Sequence, residues 1–162
     1  MTAFVLPTRR GFLVLSGMGL LLAGCSTTNV LTPASGAEDE TAAALPLVNR
    51  LRQSRNRSSL SPDTPARRAA LQQAVRMAKA NEMSHLIGFG DDFGGRMRKN
   101  DVPLPAAENI ASGQNTVEAA VQAWIDSPKH LENMLGSYRG LGVAMARTST
   151  GARSYWAMVL SG

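Results

Sequence analysis

Apolar residues recur along this chain in three different rhythms. Between Gly11 and Gly24 they are nearly continuous: GFLVLSGMGLLLAG runs 14 residues without a charge. At 1.5 Å per residue, a helix of that length is too short for a ~30 Å hydrocarbon core. Its glycines and missing polar face also argue against a buried core helix, so it predicts the apolar region of a signal peptide. From Ala42 the rhythm becomes helical. Leu47, Val48 and Leu51 form a short stripe, with Arg50, Arg52, Arg55 and Arg57 read as a solvated face around it. Thr64 and Pro65 predict an N-cap and first helical position. The helix they open carries Leu71, Ala74, Val75 and Ala78 on one face, a face that extends to His85. Gly88, Gly90, Gly94, Gly95, Pro103 and Pro105 then predict a long loop, uncommon in a compact domain unless it has a task.

Helical periodicity returns after Asn115, whose spacing to Glu118 resembles a capping box. Val117, Ala120, Val121, Trp124 and Ile125 follow i, i+3, i+4, i+7, i+8. Ser127-Pro128 ends that helix and opens another through His130, Leu131, Met134 and Leu135 to Gly136 as its terminating glycine. The third rhythm is alternation: Leu141, Val143 and Met145, a turn over Thr148–Gly151, and a returning strand over Arg153–Leu160. Helices that precede a terminal hairpin predict an α+β class. Trp124, Val121 and Val117 are expected to pack inward, with Trp156 or Tyr155 in the same layer.

The start of the chain reads as an address. Leu22-Ala23-Gly24-Cys25 has the form of a lipobox, in which the Cys thiol receives a diacylglyceryl group, and Cys25 is the only cysteine of the 162 residues. Upstream, Thr8-Arg9-Arg10-Gly11-Phe12-Leu13 resembles a twin-arginine export signal; a plain Sec signal with two adjacent arginines is the other reading. The expected division is residues 1–24 as signal peptide, 25–40 as lipidated Cys25 with a flexible polar tether, and 41–162 as the domain. Acylation at Cys25, at ~0.8 kcal/mol per buried CH₂, implies an exported protein anchored to a bacterial membrane and facing the periplasm. Ser26 after the cysteine, a residue other than Asp, resembles the outer-membrane sorting signal of Gram-negative lipoproteins.

Charge narrows the partners. The whole chain carries 17 basic and 12 acidic residues, and both Arg9 and Arg10 fall in the signal segment, leaving +3 over residues 25–162. That is too small and too dispersed for a nucleic-acid face. The domain is expected to act as a monomer. With one cysteine, it must hold together by its core and not by disulfides.

The candidate chemistry lies in His85 and His130, the only two histidines, and in Glu108 between them in sequence. Two imidazoles and a carboxylate can give a divalent metal three ligands and leave a water in the fourth position. The same residues could form a hydrogen-bonded cluster that fixes the loop, or two histidines with no relation. No HExxH, CxxC or GxSxG motif is present.

Five motifs, taken in order, resemble the bacterial branch of the CAP superfamily, which includes cysteine-rich secretory proteins, venom antigens and plant pathogenesis-related proteins. They are Ser84-His85; Phe93-x-x-Arg96; Ala107-Glu108-Asn109-Ile110-Ala111; Trp124-x-x-Ser127-Pro128-Lys129-His130; and Gly140-Leu141-Gly142-Val143 before Tyr155-Trp156. Asn49 and Arg52 match the family's first helix, so the resemblance covers about Leu45 to Gly162. It implies an α–β–α sandwich around a central antiparallel sheet, with a ligand cleft formed by His85, Glu108, His130, Asn109 and Ser127. The family's cleft carries a His-Glu-Glu-His tetrad whose histidines can bind Zn²⁺. His85 and His130 would be those histidines and Glu108 the first glutamate, while Ser127 stands where the second glutamate would be. The implied function is a cell-envelope lipoprotein whose cleft binds a lipid-like or peptide ligand without turnover. The alternative is a metal-assisted hydrolase with His85 and His130 on zinc and Glu108 as general base.

Overall fold

The computed structural model describes residues 36–162 and, outside them, only Met1. Cys25, the signal segment and most of the tether lie outside the described residues. Ten elements follow in chain order: β1 (Ala37–Asp39), α1 (Thr41–Ser54), β2 (Ser61–Pro62), α2 (Thr64–Ala80), α3 (Phe93–Lys99), β3 (Ala106–Ser112), α4 (Val117–Ile125), α5 (Pro128–Met134), β4 (Gly140–Arg147) and β5 (Ser154–Ser161). The class is α+β. The sheet runs β1-β4-β5-β3 with antiparallel neighbours throughout, and β2 pairs parallel with β4 on the edge that β1 also uses.

The hairpin strands alternate, and each face meets its own helices. Leu141, Val143 and Met145 of β4 and Trp156, Met158 and Leu160 of β5 face a layer that holds Val48 of α1 and Val117, Ala120, Val121 and Trp124 of α4. On the opposite face, Ala144, Ala146, Tyr155, Ala157 and Val159 meet Ala66, Ala69, Ala70, Ala74, Met77 and Ala78 of α2. Helices on both faces of one sheet make the expected α–β–α sandwich. Both α2 and its side of β4 are built from small residues, so the two backbones approach closely. A Cβ on Gly142 would come within 2.3 Å of the Ala66 carbonyl carbon and the Arg67 nitrogen.

Several elements differ from the sequence expectation for identifiable reasons. The tether ends earlier than residue 40, because Ala37–Asp39 pairs with Ala144–Ala146 as a short edge strand. Asp63, and not Thr64, caps α2: its Oδ1 accepts from the Ala66 N–H at 2.8 Å. That helix stops at a left-handed Asn81, so His85 is not on it. Thr116, and not Asn115, caps α4 by accepting from the Ala119 N–H. Gly136 follows α5 without a left-handed φ; what it supplies is space, since a Cβ there would lie 2.5 Å from the Tyr138 ring.

The expected long loop over Gly88–Pro105 contains a helix, and a strand follows it directly, neither of which the pattern showed. α3 reads FGGRMRK, and its two glycines are poor helix formers. Asp92 starts it anyway by accepting from the Gly95 N–H at 2.6 Å, and a Cβ on Gly95 would meet that carboxylate at 2.3 Å. β3 (AAENIAS) pairs with β5 over its full length and is buried on both faces, so it shows no polar alternation to read.

Arg52 is the largest departure among the charged residues. It is 2% exposed and not on a solvated face. Its Nε donates to the Ser58 carbonyl at 2.7 Å, and its Nη1 to the Met134 and Gly136 carbonyls at 2.7 and 2.9 Å. Arg52 therefore caps the C-terminal end of α5, where bare carbonyls and the helix dipole favour a cation.

Candidate functional site

The site forms at β3, an edge strand of the sheet. Successive strand residues point to opposite faces. Glu108 faces with Ala106 and Ile110 toward the α2 layer, and Asn109 faces with Ala107 and Ala111 toward the α4 layer. One strand thus reaches both sides with neighbouring polar residues.

On the α2 side, Glu108 is buried, its side chain 2% exposed, and both its oxygens are engaged. Arg96 of α3 forks onto it, Nη1 to Oε2 at 2.8 Å and Nη2 to Oε1 at 3.1 Å. His85 Nδ1 lies 2.9 Å from the same Oε1. Because a carboxylate flanked by a guanidinium accepts, His85 carries its proton on Nδ1 and leaves Nε2 outward. The His85 side chain is half exposed, so that outer edge meets solvent.

The loop that carries His85 is held by polar contacts from two helices. Gln73 of α2 donates to the Ser84 carbonyl at 2.7 Å and the His85 carbonyl at 3.3 Å. Arg96 Nη2 also donates to the His85 carbonyl, at 2.9 Å. Asp91 bridges Arg76 at 2.6 Å and the Ile87 N–H at 2.7 Å. Burial by itself would raise the Asp91 pKa. The Arg76 hydrogen bond, the Ile87 N–H and the charges of Arg76 and Arg96 outweigh it and hold the carboxyl below its ordinary value. Arg96 Nε sits 3.4 Å from Asp91 Oδ1 but has no aligned acceptor among the described residues.

On the α4 side, Asn109 is fully buried. Its Nδ2 donates to the His130 carbonyl at 3.0 Å, and its Oδ1 accepts from Asn133 at 2.8 Å. With every polar atom turned inward, Asn109 positions α5 and is not a wall of the cleft. Ser127 opens α5 as its N-cap without a side-chain capping bond. His130, half-buried in the first turn, has its pKa lowered by burial first and by the charge of His85 second. His85 and Glu108 thus meet directly, while His130 is tied by its backbone carbonyl to Asn109, the strand neighbour of Glu108.

Sequence reasoning missed Gln73, Arg76, Asp91 and Arg96. Arg96 alone left a trace, as the arginine of Phe93-x-x-Arg96, where it also lies over the Phe93 ring at 5.7 Å. Its pairing with Glu108 bears on the metal question. A catalytic zinc needs about three protein donors, and Glu108 is committed to Arg96 and His85. Among the described residues no group of three or more His, Cys, Asp or Glu side chains is placed to hold a metal ion. Two imidazoles do not fit that donor set.

A family model described as the cysteine-rich secretory protein family, CAP, matches residues 45–160. Among solved structures, the fold is similar to an outer surface protein from Borrelia burgdorferi at 20% identity and a TM-score of 0.64, covering 77% of this chain and 97% of that one. An extracellular protein containing a SCP domain from Bacillus anthracis str. Ames aligns at 24% identity and TM-score 0.65, covering 74% of this chain and 39% of that one. A cysteine-rich secretory protein from Staphylococcus aureus aligns at 17% and 0.57, covering 75% and 38%. The chain therefore spans about two-fifths of the length of these last two. None of the curated protein sequences compared with it matches. With the matched model covering most of the chain and the sandwich present element by element, the chain belongs to the cysteine-rich secretory protein family and carries its CAP domain.

Proposed function

We propose that this chain is a bacterial cell-envelope lipoprotein, anchored through an acylated Cys25, whose CAP domain binds a ligand or envelope partner over His85 and His130 without chemical turnover. The observation that carries the reading is the double engagement of Glu108. A general base must be free to take a proton from water or substrate. A buried carboxylate with a guanidinium fork on both oxygens and an imidazole on one of them is built to orient His85. The exposed outer edge of His85 is then a fixed polar contact on a loop that also exposes the apolar side chains of Met83, Leu86 and Phe89. One oriented polar group and exposed apolar side chains on the same loop suit recognition. The outer-surface and extracellular descriptions of two structural neighbours agree with a place at the envelope.

The deciding experiment measures turnover of model peptides and esters by the full protein, with and without added zinc. No turnover above that of the Glu108→Gln variant is expected. Zinc-stimulated hydrolysis that disappears in Glu108→Gln would establish the hydrolase instead. Mass spectrometry of the protein purified from its native envelope should reveal a bound molecule that His85→Ala, at an exposed side chain, fails to retain.

A further inference from the structure

A second polar feature lies at the end of α1, among residues that the proposed cleft does not use. The turn after α1 doubles back through a left-handed Asn56, and the Arg57 N–H donates to the Arg52 carbonyl at 2.8 Å. Asn49 then clamps the returning chain, exchanging hydrogen bonds with the Leu60 N–H at 2.8 Å and the Leu60 carbonyl at 3.0 Å. Arg57 is thereby fixed beside Arg52. Arg139, just before β4, is held from another direction, because its N–H donates to the Ser161 carbonyl at 2.8 Å. The three arginines line one hollow of about 380 Å³ together with Ser58 and Ser137.

No acidic side chain pairs with any of these arginines among the described residues, although Arg67, Arg68, Arg76 and Arg96 all have a carboxylate partner. Arg52 is satisfied entirely by carbonyls, whose partial charges at the end of α5 favour a cation without supplying a full counter-charge. Burial and then the Arg57 charge push the Arg52 guanidinium below its ordinary value, as expected where cations crowd without an anion. Arg57 and Arg139 are exposed, and their guanidinium groups make no side-chain hydrogen bond among the described residues. The hollow therefore has a buried positive floor and two free forks on its rim.

We propose that this hollow is an anion site for a phosphate group, bound by Arg57 and Arg139 over the field of Arg52. A phosphate brings about −1.5 to −2 charges and three acceptor oxygens at neutral pH, which matches two guanidinium forks and the Ser58 and Ser137 hydroxyls better than a carboxylate with two oxygens does. A phosphodiester headgroup shares the anionic non-bridging oxygens but carries one charge and two such oxygens, so it is a weaker match than free phosphate. Affinity in the millimolar range is expected, because the rim donors are solvated.

The test uses the isotope-labelled full chain in detergent, titrated at constant ionic strength with inorganic phosphate and, separately, with glycerophosphoglycerol, the water-soluble headgroup of a phospholipid. Saturating amide shifts confined to Ser58, Ser59 and residues 137–139 are expected with at least one probe. Tighter binding of inorganic phosphate would identify the free ion as the ligand, and tighter binding of the diester would identify the headgroup. The double variant R57Q/R139Q, altered only at exposed side chains, should weaken binding at least tenfold. R147Q/R153Q, which removes the same charge elsewhere, should leave it unchanged. Linear, unsaturated shifts with both probes, or equal weakening in the two double variants, would overturn the site.

Discussion

Glu108 and Arg96 form a buried pair in which each needs the other. Removing one partner leaves an uncompensated charge in the core, whereas replacing both with apolar groups removes the problem. Arg96→Ala should therefore destabilise by about 3–5 kcal/mol in urea unfolding, and R96M/E108L should recover much of that loss. A strictly additive double variant would show that the two side chains do not act together. His130 gives a pH-dependent counterpart. Its folded pKa lies below the ordinary value of 6.5, through burial first and the His85 charge second, so the unfolded chain takes up a proton more readily. The stability it contributes is complete above pH 6.5 and declines as pH falls through 6.5 toward the folded value. The urea midpoint should fall between pH 7 and pH 5 more steeply in the native protein than in His130→Gln. An identical slope in both would remove His130 from the account. At this scale the sequence was only partly legible. His85, Glu108 and His130 stood out by residue type, but the arginine that engages Glu108 and the asparagine that places His130 do their work through contacts 12 and 21 residues away in the chain.

Among the elements, α4 and α2 hold the sheet from opposite sides by different means. α4 inserts a large side chain: Trp124 is fully buried, and its indole N–H donates to the Ile110 carbonyl at 3.0 Å, capping part of the free edge of β3. Trp124→Ala should cost about 3–5 kcal/mol, measured by denaturant melts, because it opens a cavity and frees a carbonyl. α2 works by close approach. Gly142→Ala would drive a methyl into the backbone at Ala66 and Arg67, so a loss of about 2–3 kcal/mol is expected from one added carbon. A neutral Gly142→Ala in the same melts would mean that α2 slides freely over β4. The elements with strong periodicity, α4 and the β4–β5 hairpin, were legible for that reason. α3 was hidden by its glycines, β3 by burial on both faces, and the role of Arg52 by three other arginines that have no buried partner.

At the scale of the whole molecule, the domain has its own core on both faces of the sheet, and none of its helices is long and apolar enough to cross a membrane among the described residues. If Cys25 is the attachment point, Cys25→Ala should leave the melting curve of the domain unchanged and shift the protein out of the membrane fraction. Retention in that fraction without lipid on Cys25 would assign the anchor elsewhere. The domain was legible because its amphipathic rhythm differs from the continuous apolar run that precedes it; its start was blurred because Ala37–Asp39 is too short to show an alternation. That short strand also has a mechanical meaning. Tension travelling along the chain into residue 36 arrives at the outer edge of the sheet, where the Arg147 N–H donates to the Gly36 carbonyl and the Glu40 N–H to the Val143 carbonyl. A pull directed away from the edge would load these bonds one after another, as in unzipping, and then the Asp39–Arg67 ion pair that ties the end of β1 to α2. β1 therefore acts as a compliant lead between a pulled terminus and a stiff sandwich, extending by about 3.3 Å for each residue released.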